Sequence, residues 1–294
     1  MILVFGSGED SCIELVLDAA LELGVEHRFI DQRFLEHDDL LLEVGPSTMT
    51  CMTRIASEVL DLGDVDAVYA RPLTVSDSAR SLRFSAAVTE WLDLTDALVV
   101  NRPLSMRSNS SKPYQCQVIA AAGFAVPETL VTNDPNEVLA FHQRHGKVIF
   151  KSTSGIRSIV RELDEARLRS LELIRRLPTQ FQAHVDGVDT RVHVVGNAVF
   201  ASEVNTAAID YRYANRDGQT VHHTATTLDP DLQSRCRDLA QQLELPLCGI
   251  DLRRRPDGSY VCFEVNPMPA FSYYESNTGQ PIARSLVEYM SGKA

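Results

Sequence analysis

Long apolar runs are missing from this chain. No stretch approaches the roughly 18 residues needed to span a bilayer. The opening Met1-Ile2-Leu3-Val4-Phe5-Gly6 lacks both the length and the basic start of a signal peptide. Cysteine is sparse and unpatterned. The six residues, Cys12, Cys51, Cys116, Cys236, Cys248 and Cys262, form no C-x-x-C pair, and no histidine sits at zinc-finger spacing. That argues against a disulfide framework and a structural zinc, and the expected setting is a reducing cytoplasm. Fifteen glycines and thirteen prolines in 294 residues are too few for collagen-like or low-complexity character. Positive charge is in deficit: 28 Lys+Arg against 40 Asp+Glu leave a net charge of −12. Such a surface repels phosphate backbones, so neither nucleic acid nor membrane is expected as a partner. The only basic run, Arg253-Arg254-Arg255, leads into Pro256-Asp257-Gly258 and reads as a solvated hairpin end.

What is present is an ordinary globular balance, 44% hydrophobic and 23% charged, in a chain long enough for two domains or one large composite. The first hundred residues alternate strand and helix signals. Residues 2–5, 28–30, 67–70 and 97–100 read as strands, and 12–23 and 76–92 as helices, which implies crossovers and a mostly parallel sheet. A polar stretch at 105–111 marks a boundary. Beyond it the pattern predicts a helix at 112–122, a strand at 129–132, a helix to about 145, a strand at 147–151, a β run at 158–161 and a charged helix at 164–176. Asp134, Pro135 and Glu137 have the order of an N-cap, a first-turn proline and a capping box. From 180 the texture is β: 180–185, 190–195 and 198–204, then a helix at 229–243, strands at 247–253 and 259–265, and a last helix at 281–290. No internal repeat is visible.

Chemistry concentrates in the last hairpin. Glu264 and Asn266 share a face by two-residue alternation. A turn at 257–258, or one spanning 256–259, puts Asp251 directly opposite Glu264, with Cβ atoms about 5 Å apart. Two carboxylates that close repel unless a cation lies between them. With an amide oxygen they make a hard-oxygen donor set suited to Mg²⁺; the alternative is a polar sheet face with solvated acids. Two lysines stand at telling positions. Lys112 opens a helix, where backbone N–H groups favour anions. Lys151 ends a strand and leads into Ser152-Thr153-Ser154-Gly155, a loop able to wrap phosphate oxygens. Asp189 and Arg191 share a strand face, for which an intrastrand salt bridge is the plain account. A nicotinamide-dinucleotide site at Gly6-Ser7-Gly8 is disfavoured, because Ser11 occupies the third glycine position.

The string Phe181-Gln182-Ala183-His184-Val185-Asp186-Gly187-Val188-Asp189-Thr190-Arg191-Val192-His193-Val194-Val195-Gly196, followed by Phe263-Glu264-Val265-Asn266-Pro267, resembles the ATP-grasp ligases, and among them the RimK-type and graspetide (microviridin-type) branch. Asn109-Ser110-Ser111-Lys112 and Gly123-Phe124-Ala125-Val126-Pro127-Glu128-Thr129 are similar to that family's central-domain entry. The resemblance covers about residue 101 to the C-terminus; the first hundred residues match only in their α/β character.

The resemblance implies an α/β, ATP-grasp fold: a Rossmann-like N-terminal domain at residues 1–100, a small α+β central lobe at 101–177, and at 178–294 a larger α+β C-terminal lobe with an antiparallel sheet and the metal site. Lys112, Lys151, Ser152 and Gly155 would meet ATP phosphates. Gln182, Ala183 and His184 would hold adenine, and Asp189 the ribose. Arg191, with Lys151, would stabilise the transferred phosphate, and Asp251, Glu264 and Asn266 would bind one or two Mg²⁺, with Mn²⁺ as a substitute. Asp210-Tyr211-Arg212 resembles the element with which graspetide ligases hold a precursor peptide, its Asp210 and Arg212 being the contacts; a surface turn is the alternative. Two departures stand out: Ala183 where many relatives have Glu, and a single glycine, Gly155, in the phosphate loop. His222 and His223, adjacent on a strand, allow at most one general base, and a structural role is favoured. The implied reaction activates a carboxylate as acyl phosphate for attack by an amine or hydroxyl. The substrate is expected to be peptide-like, with a small-molecule dipeptide-type ligase and a non-catalytic ATP-binding protein as alternatives. A homodimer is the expected assembly, if any.

Overall fold

The computed structural model describes residues 1–55, 58–73, 78–152, 160–205 and 221–293, with the side chains of Ser152 and Asn205 left aside. Gly155, Asp210, Tyr211 and Arg212 lie outside the described residues.

The chain opens with β1 (Ile2–Gly6), α1 (Ser11–Glu22) and β2 (His27–Asp31). The Asp10 carboxylate caps α1 by accepting from the Cys12 N–H at 2.8 Å. Residues 32–66, for which the sequence pattern suggests no element, contain three strands, β3 (Asp39–Val44), β4 (Met49–Ile55) and β5 (Glu58–Asp61), that form their own antiparallel sheet. Their alternation is blurred because Leu41 and Val59, both exposed, share the face of Asp39, Glu43 and Asp61. The first domain is completed by β6 (Ala67–Arg71), α2 (Ala79–Leu94) and β7 (Leu98–Val100). The expected parallel sheet is present, in the order β2-β1-β6-β7.

Past a 3₁₀ turn at Ser105–Ser110 come α3 (Lys112–Ala121), β8 (Thr129–Thr132), α4 (Pro135–His145), β9 (Val148–Ser152) and β10 (Arg161–Glu162). The α4 start is only half as the capping box would have it. Asp134 Oδ1 accepts from the Asn136 N–H at 2.9 Å, but the Asp134 N–H donates to Thr132 Oγ1 at 3.0 Å rather than to Glu137. The charged helix expected at 164–176 breaks in two, α5 (Glu165–Arg169) and a 3₁₀ turn at Leu171–Arg176. At the break Ser170 turns its hydroxyl back onto the Arg167 carbonyl, at 3.2 Å, competing with the helix as serine side chains do.

The rest comprises β11 (Thr179–Ala183), β12 (Val188–Val195), β13 (Ala198–Asn205), β14 (His222–Thr226), α6 (Pro230–Gln242), β15 (Leu247–Arg254), β16 (Tyr260–Asn266), α7 (Ser272–Thr278) and α8 (Ile282–Met290). Strand β11 pairs back into the small antiparallel sheet β10-β9-β11-β8, whose core is Val138, Phe141, Val148, Leu163, Leu171 and Phe181. The large antiparallel sheet runs β14-β13-β12-β15-β16. One of its faces, Val192, Val194, Cys248, Ile250 and Val265, is buried with α6 and with Ile119 of α3. Helices α7 and α8 pack with α1 in a core common to the first domain and the large lobe, through Val16, Phe271, Tyr274, Leu286 and Val287. Among the described residues no helix is long and apolar enough to cross a membrane.

Candidate active site

The face of the large sheet opposite α6 is polar, and its register assembles the site. Ser202, Arg191, Asp251 and Glu264 stand directly opposite one another on β13, β12, β15 and β16. The next row of the same face is Phe200, His193, Gly249 and Asn266, and the row on the other side contains Val204, Asp189 and Arg253. Alternation in Asp189-Thr190-Arg191-Val192-His193 thus divides one short strand between a chemical face and a core face.

Asp251 does face Glu264, for a reason absent from either expected turn. The hairpin loop has three residues, closed by Arg255 N–H to the Ser259 carbonyl at 2.8 Å, with Gly258 at φ +85° in a conformation L side chains rarely adopt. That loop pairs Arg253 with Val261 and Leu252 with Cys262, a register that would set Asp251 against Phe263. A β-bulge between Asp251 and Leu252 inserts Phe263 as the extra residue and brings Glu264 opposite Asp251.

Each acid of the row holds a cation. Arg191 Nη1 donates to Asp251 Oδ1 at 2.6 Å, and Lys112 Nζ to Glu264 Oε1 at 2.6 Å. Lys112 can do so because α3 lies along the outer edge of β16. There the Gln115 side chain replaces a neighbouring strand: Nε2 donates to the Val265 carbonyl at 2.8 Å, and Oε1 accepts from the Val265 N–H at 3.0 Å. The second oxygens of Asp251 and Glu264 make no hydrogen bond among the described residues. Asn266 Oδ1 accepts from the Met268 N–H at 2.9 Å. The donor set of two opposed, half-buried carboxylates and an amide oxygen on one face has the hard-oxygen chemistry of a Mg²⁺ site, and these residues fit such an ion. Among the described residues, no larger cluster of acids, histidines or cysteines gathers.

Facing this row is the small sheet. Ile149 and Lys151 of β9 and Gln182 of β11 share its cleft side, and together with Val160, His184, Asp189, Arg191, Val204, Asp251, Leu252, Arg253, Phe263 and Glu264 they line a cleft of about 730 Å³ including its open mouth. Gln182 Nε2 donates to Thr129 Oγ1 at 3.1 Å. The Ala183 and His184 N–H groups donate to the Glu128 and Lys147 carbonyls, each at 3.0 Å. Burial, and then the Lys147 charge, lower the His184 pKa below the ordinary imidazole value.

The structure therefore gathers Lys151, Gln182, His184, Asp189, Arg191, Asp251 and Glu264 around one cleft, with Lys112, Ala183 and Asn266 beside it. Ser152 ends β9, and Gly155, Asp210 and Arg212 are not among the described residues. No intrastrand bridge joins Asp189 to Arg191. Asp189 instead accepts on both oxygens from Arg253, at 2.7 and 2.9 Å. This corrects the picture of a solvated Arg253-Arg254-Arg255 run. Arg253 is directly opposite Asp189, lies 5.3 Å over the Phe263 ring and lines the cleft, while Arg254 bonds Glu203 at 2.7 Å. The apolar walls Ile149, Val160, Val204, Leu252 and Phe263 went unread in the sequence. Alternation from Lys151 would have found Ile149, but nothing local marks the bulge that exposes Phe263. His223 packs edge-on between Tyr273 and Tyr274, at 4.9 and 5.1 Å, consistent with a structural role.

The model of the RimK-like ATP-grasp domain matches residues 109–290. A probable alpha-L-glutamate ligase of Rhodopirellula baltica is 28% identical over 222 residues, which cover 71% of this chain and 54% of that relative, so the chain spans about half of its length. Among solved structures, the RiPP-associated ATP-grasp ligase of Chryseobacterium gregarium, in complex with ADP and a leader and core peptide, is similar at a TM-score of 0.85. The two are 21% identical, and the match covers 100% of this chain and 97% of that one. The ATP-grasp ligase PsnB, complexed with a phosphomimetic variant of a minimal precursor, Mg and ADP, is 25% identical with a TM-score of 0.82, covering 99% of this chain and 98% of that one. The domain match alone takes in more than half of the sequence, including the four-stranded row, Lys112 and Lys151, and the chain belongs to the RimK-like ATP-grasp family.

Proposed function

We propose that this protein is an ATP- and Mg²⁺-dependent ligase that joins a carboxylate to an amine or hydroxyl, with a peptide as substrate. The observation that carries the reading is the Arg191–Asp251–Glu264 row facing Lys151 across one cleft, with Lys112 at its end. Adenine would lie between Ile149, Val160, Leu252 and Phe263 against the 182–184 segment, which puts the phosphates toward Lys151, Lys112 and Arg191. Asp251, Glu264 and Asn266 would hold Mg²⁺, which neutralises phosphate charge; Mn²⁺ suits the same oxygen donors. Asp189, held by Arg253, would meet the ribose.

A substrate carboxylate oxygen attacks the γ-phosphorus, the bond to the β-phosphate oxygen breaks, and ADP leaves. The acyl phosphate is then attacked by a nitrogen or oxygen nucleophile, which loses its proton as inorganic phosphate departs. Both steps build negative charge on phosphate oxygens, and catalysis is positioning and charge neutralisation by Arg191 and the lysines. No covalent enzyme intermediate is required.

Support for a peptide comes from the likeness to structures solved with leader, core and precursor peptides. Macrocyclisation through a side-chain amide or ester is accordingly the leading case. Addition of glutamate is the second reading, favoured by the naming of the Rhodopirellula relative. The test is ADP release with MgATP and a peptide panel bearing Asp or Glu together with Lys, Ser or Thr, in parallel with free glutamate. Loss of water from a peptide, seen as an 18 Da decrease, supports macrocyclisation, and stepwise gain of glutamate supports the second reading. Glu264→Ala is expected to lower ADP release by about 100-fold or more. Unchanged release would remove Glu264 from the metal site.

A further inference from the structure

Arg191 sits in a space that only a residue without a side chain leaves open. Gly249 precedes Asp251 by two residues on β15 and stands directly opposite His193 of β12. A Cβ on Gly249 would lie 1.9 Å from Arg191 Nη2, 2.4 Å from Cζ and 2.8 Å from Nε, closer than a Cβ comes to any non-bonded atom, so the guanidinium would have to shift. The backbone there is not left-handed, so conformation does not demand glycine; the guanidinium lying over it does. The same guanidinium is bracketed on its edges. Nη1 donates to Asp251 Oδ1 at 2.6 Å, Nε donates to His193 Nε2 at 3.4 Å, and Cζ is 5.7 Å from the centre of the Tyr274 ring.

We propose that Gly249 and His193 are positioning residues that seat the Arg191 guanidinium against the transferred phosphate, an assignment that rests on the role given to Arg191 above. The His193 ring is 0% exposed and stacks edge-on with Tyr274 at 4.8 Å, which fixes its orientation. Burial, and then the Arg191 charge, push its pKa well below the ordinary imidazole value, so the ring is neutral. Its Nε2 lone pair therefore faces Arg191 while the proton resides on Nδ1, which has no hydrogen-bond partner among the described residues. A bracket of this kind matters because arginine binds phosphate through a planar fork with fixed directions. Displacing the fork by about 1 Å can cost on the order of 100-fold in rate.

The experiment uses the full chain with MgADP and fluoroaluminate, a mimic of the transferring phosphoryl group, and reads both affinities by calorimetry. MgADP alone should bind Gly249→Ala and His193→Leu within about twofold of the parent, since neither side chain reaches the adenosine end of the cleft. The tightening caused by fluoroaluminate should fall about 100-fold in Gly249→Ala and about tenfold in His193→Leu. His193→Gln, which can retain an acceptor, should recover part of the loss. In the Arg191→Gln background neither substitution should cost anything more, a non-additivity that general destabilisation does not produce. If Gly249→Ala fails to fold, judged by the Trp91 fluorescence melt, the His193 series decides on its own. The seat is refuted if Arg191→Gln abolishes the tightening while both positioning variants keep it, or if their losses add in full to that of Arg191→Gln. Parental tightening in Arg191→Gln would instead refute the role of Arg191 itself.

Discussion

At the scale of single residues, the site is a set of like charges kept together by opposite ones. Asp251 and Glu264 face each other on adjacent strands, an arrangement that repels, and each is held by one cation, Arg191 or Lys112. A nucleotide with Mg²⁺ would supply positive charge between the acids and phosphate oxygens for the lysine and arginine, so both sets gain partners. His193 is the residue whose protonation most directly conflicts with this arrangement. Its pKa in the folded state lies well below the ordinary value of about 6.5, while the unfolded chain titrates near that value. The unfolded state therefore binds more protons below pH 6.5, and stability declines as pH falls through and below that point. Urea midpoints measured at pH 7.5 and 5.5 should drop on acidification in the parent, and by less in His193→Leu. Equal drops would show that His193 is not held neutral.

At the scale of elements, the edge of the large sheet is the vulnerable part. Strand β16 carries Glu264 and Asn266 and, among the described residues, has no strand beyond it. Its outer edge is instead closed by the Gln115 amide on Val265 and by the Ala125 carbonyl, which accepts from the Cys262 N–H at 2.8 Å. Gln115→Ala would leave the Val265 N–H and C=O buried and unpaired. A loss of about 2–3 kcal/mol in urea unfolding is expected, since each orphaned group costs about 1–3 kcal/mol. Weaker binding of MgADP should accompany it, because β16 and the Lys112–Glu264 pair are then no longer tied together. The bulge at Phe263 belongs to this scale too, combining a three-residue loop with an Asp251–Glu264 pairing that the loop alone would not give.

At the scale of the molecule, the first domain is tied to the segment that follows β16. Arg71, at the end of β6, donates from Nε to Asp10 at 2.7 Å and from Nη1 to the Met268 and Pro269 carbonyls at 3.2 and 3.0 Å. Asn101 bridges the start of β15 and the end of β16 through the Leu247 and Pro267 carbonyls. Both sides of the Arg71–Asp10 pair are buried, at 8% and 9% side-chain exposure. Asp10→Ala would strand a buried guanidinium and should cost about 3–5 kcal/mol. Trp91, the sole tryptophan, is fully buried in the first domain. Because that domain shares a core with α7 and α8, its fluorescence should report the same transition as far-UV circular dichroism in the parent. Separate transitions in the parent would mean that the shared core does not couple the two lobes.

Much of this could be read along the chain, because strand alternation and helix caps act over a few residues. The parallel sheet of the first domain, the strand at Thr129–Thr132, the last hairpin and the common face of Glu264 and Asn266 are local patterns, and the resemblance of 109–112, 181–196 and 263–267 pointed to Lys112, Arg191 and Glu264. Contacts made at long separation were not legible. The pairing of Arg253 with Asp189, the Gln115 closure of β16, the space over Gly249 and the bulge that turns Glu264 onto Asp251 all join segments whose proximity is set by packing. A residue's type and its neighbours determine which face it can occupy. Which partner it meets on that face depends on register, and register is settled only when the whole sheet and its covering helices close around one core.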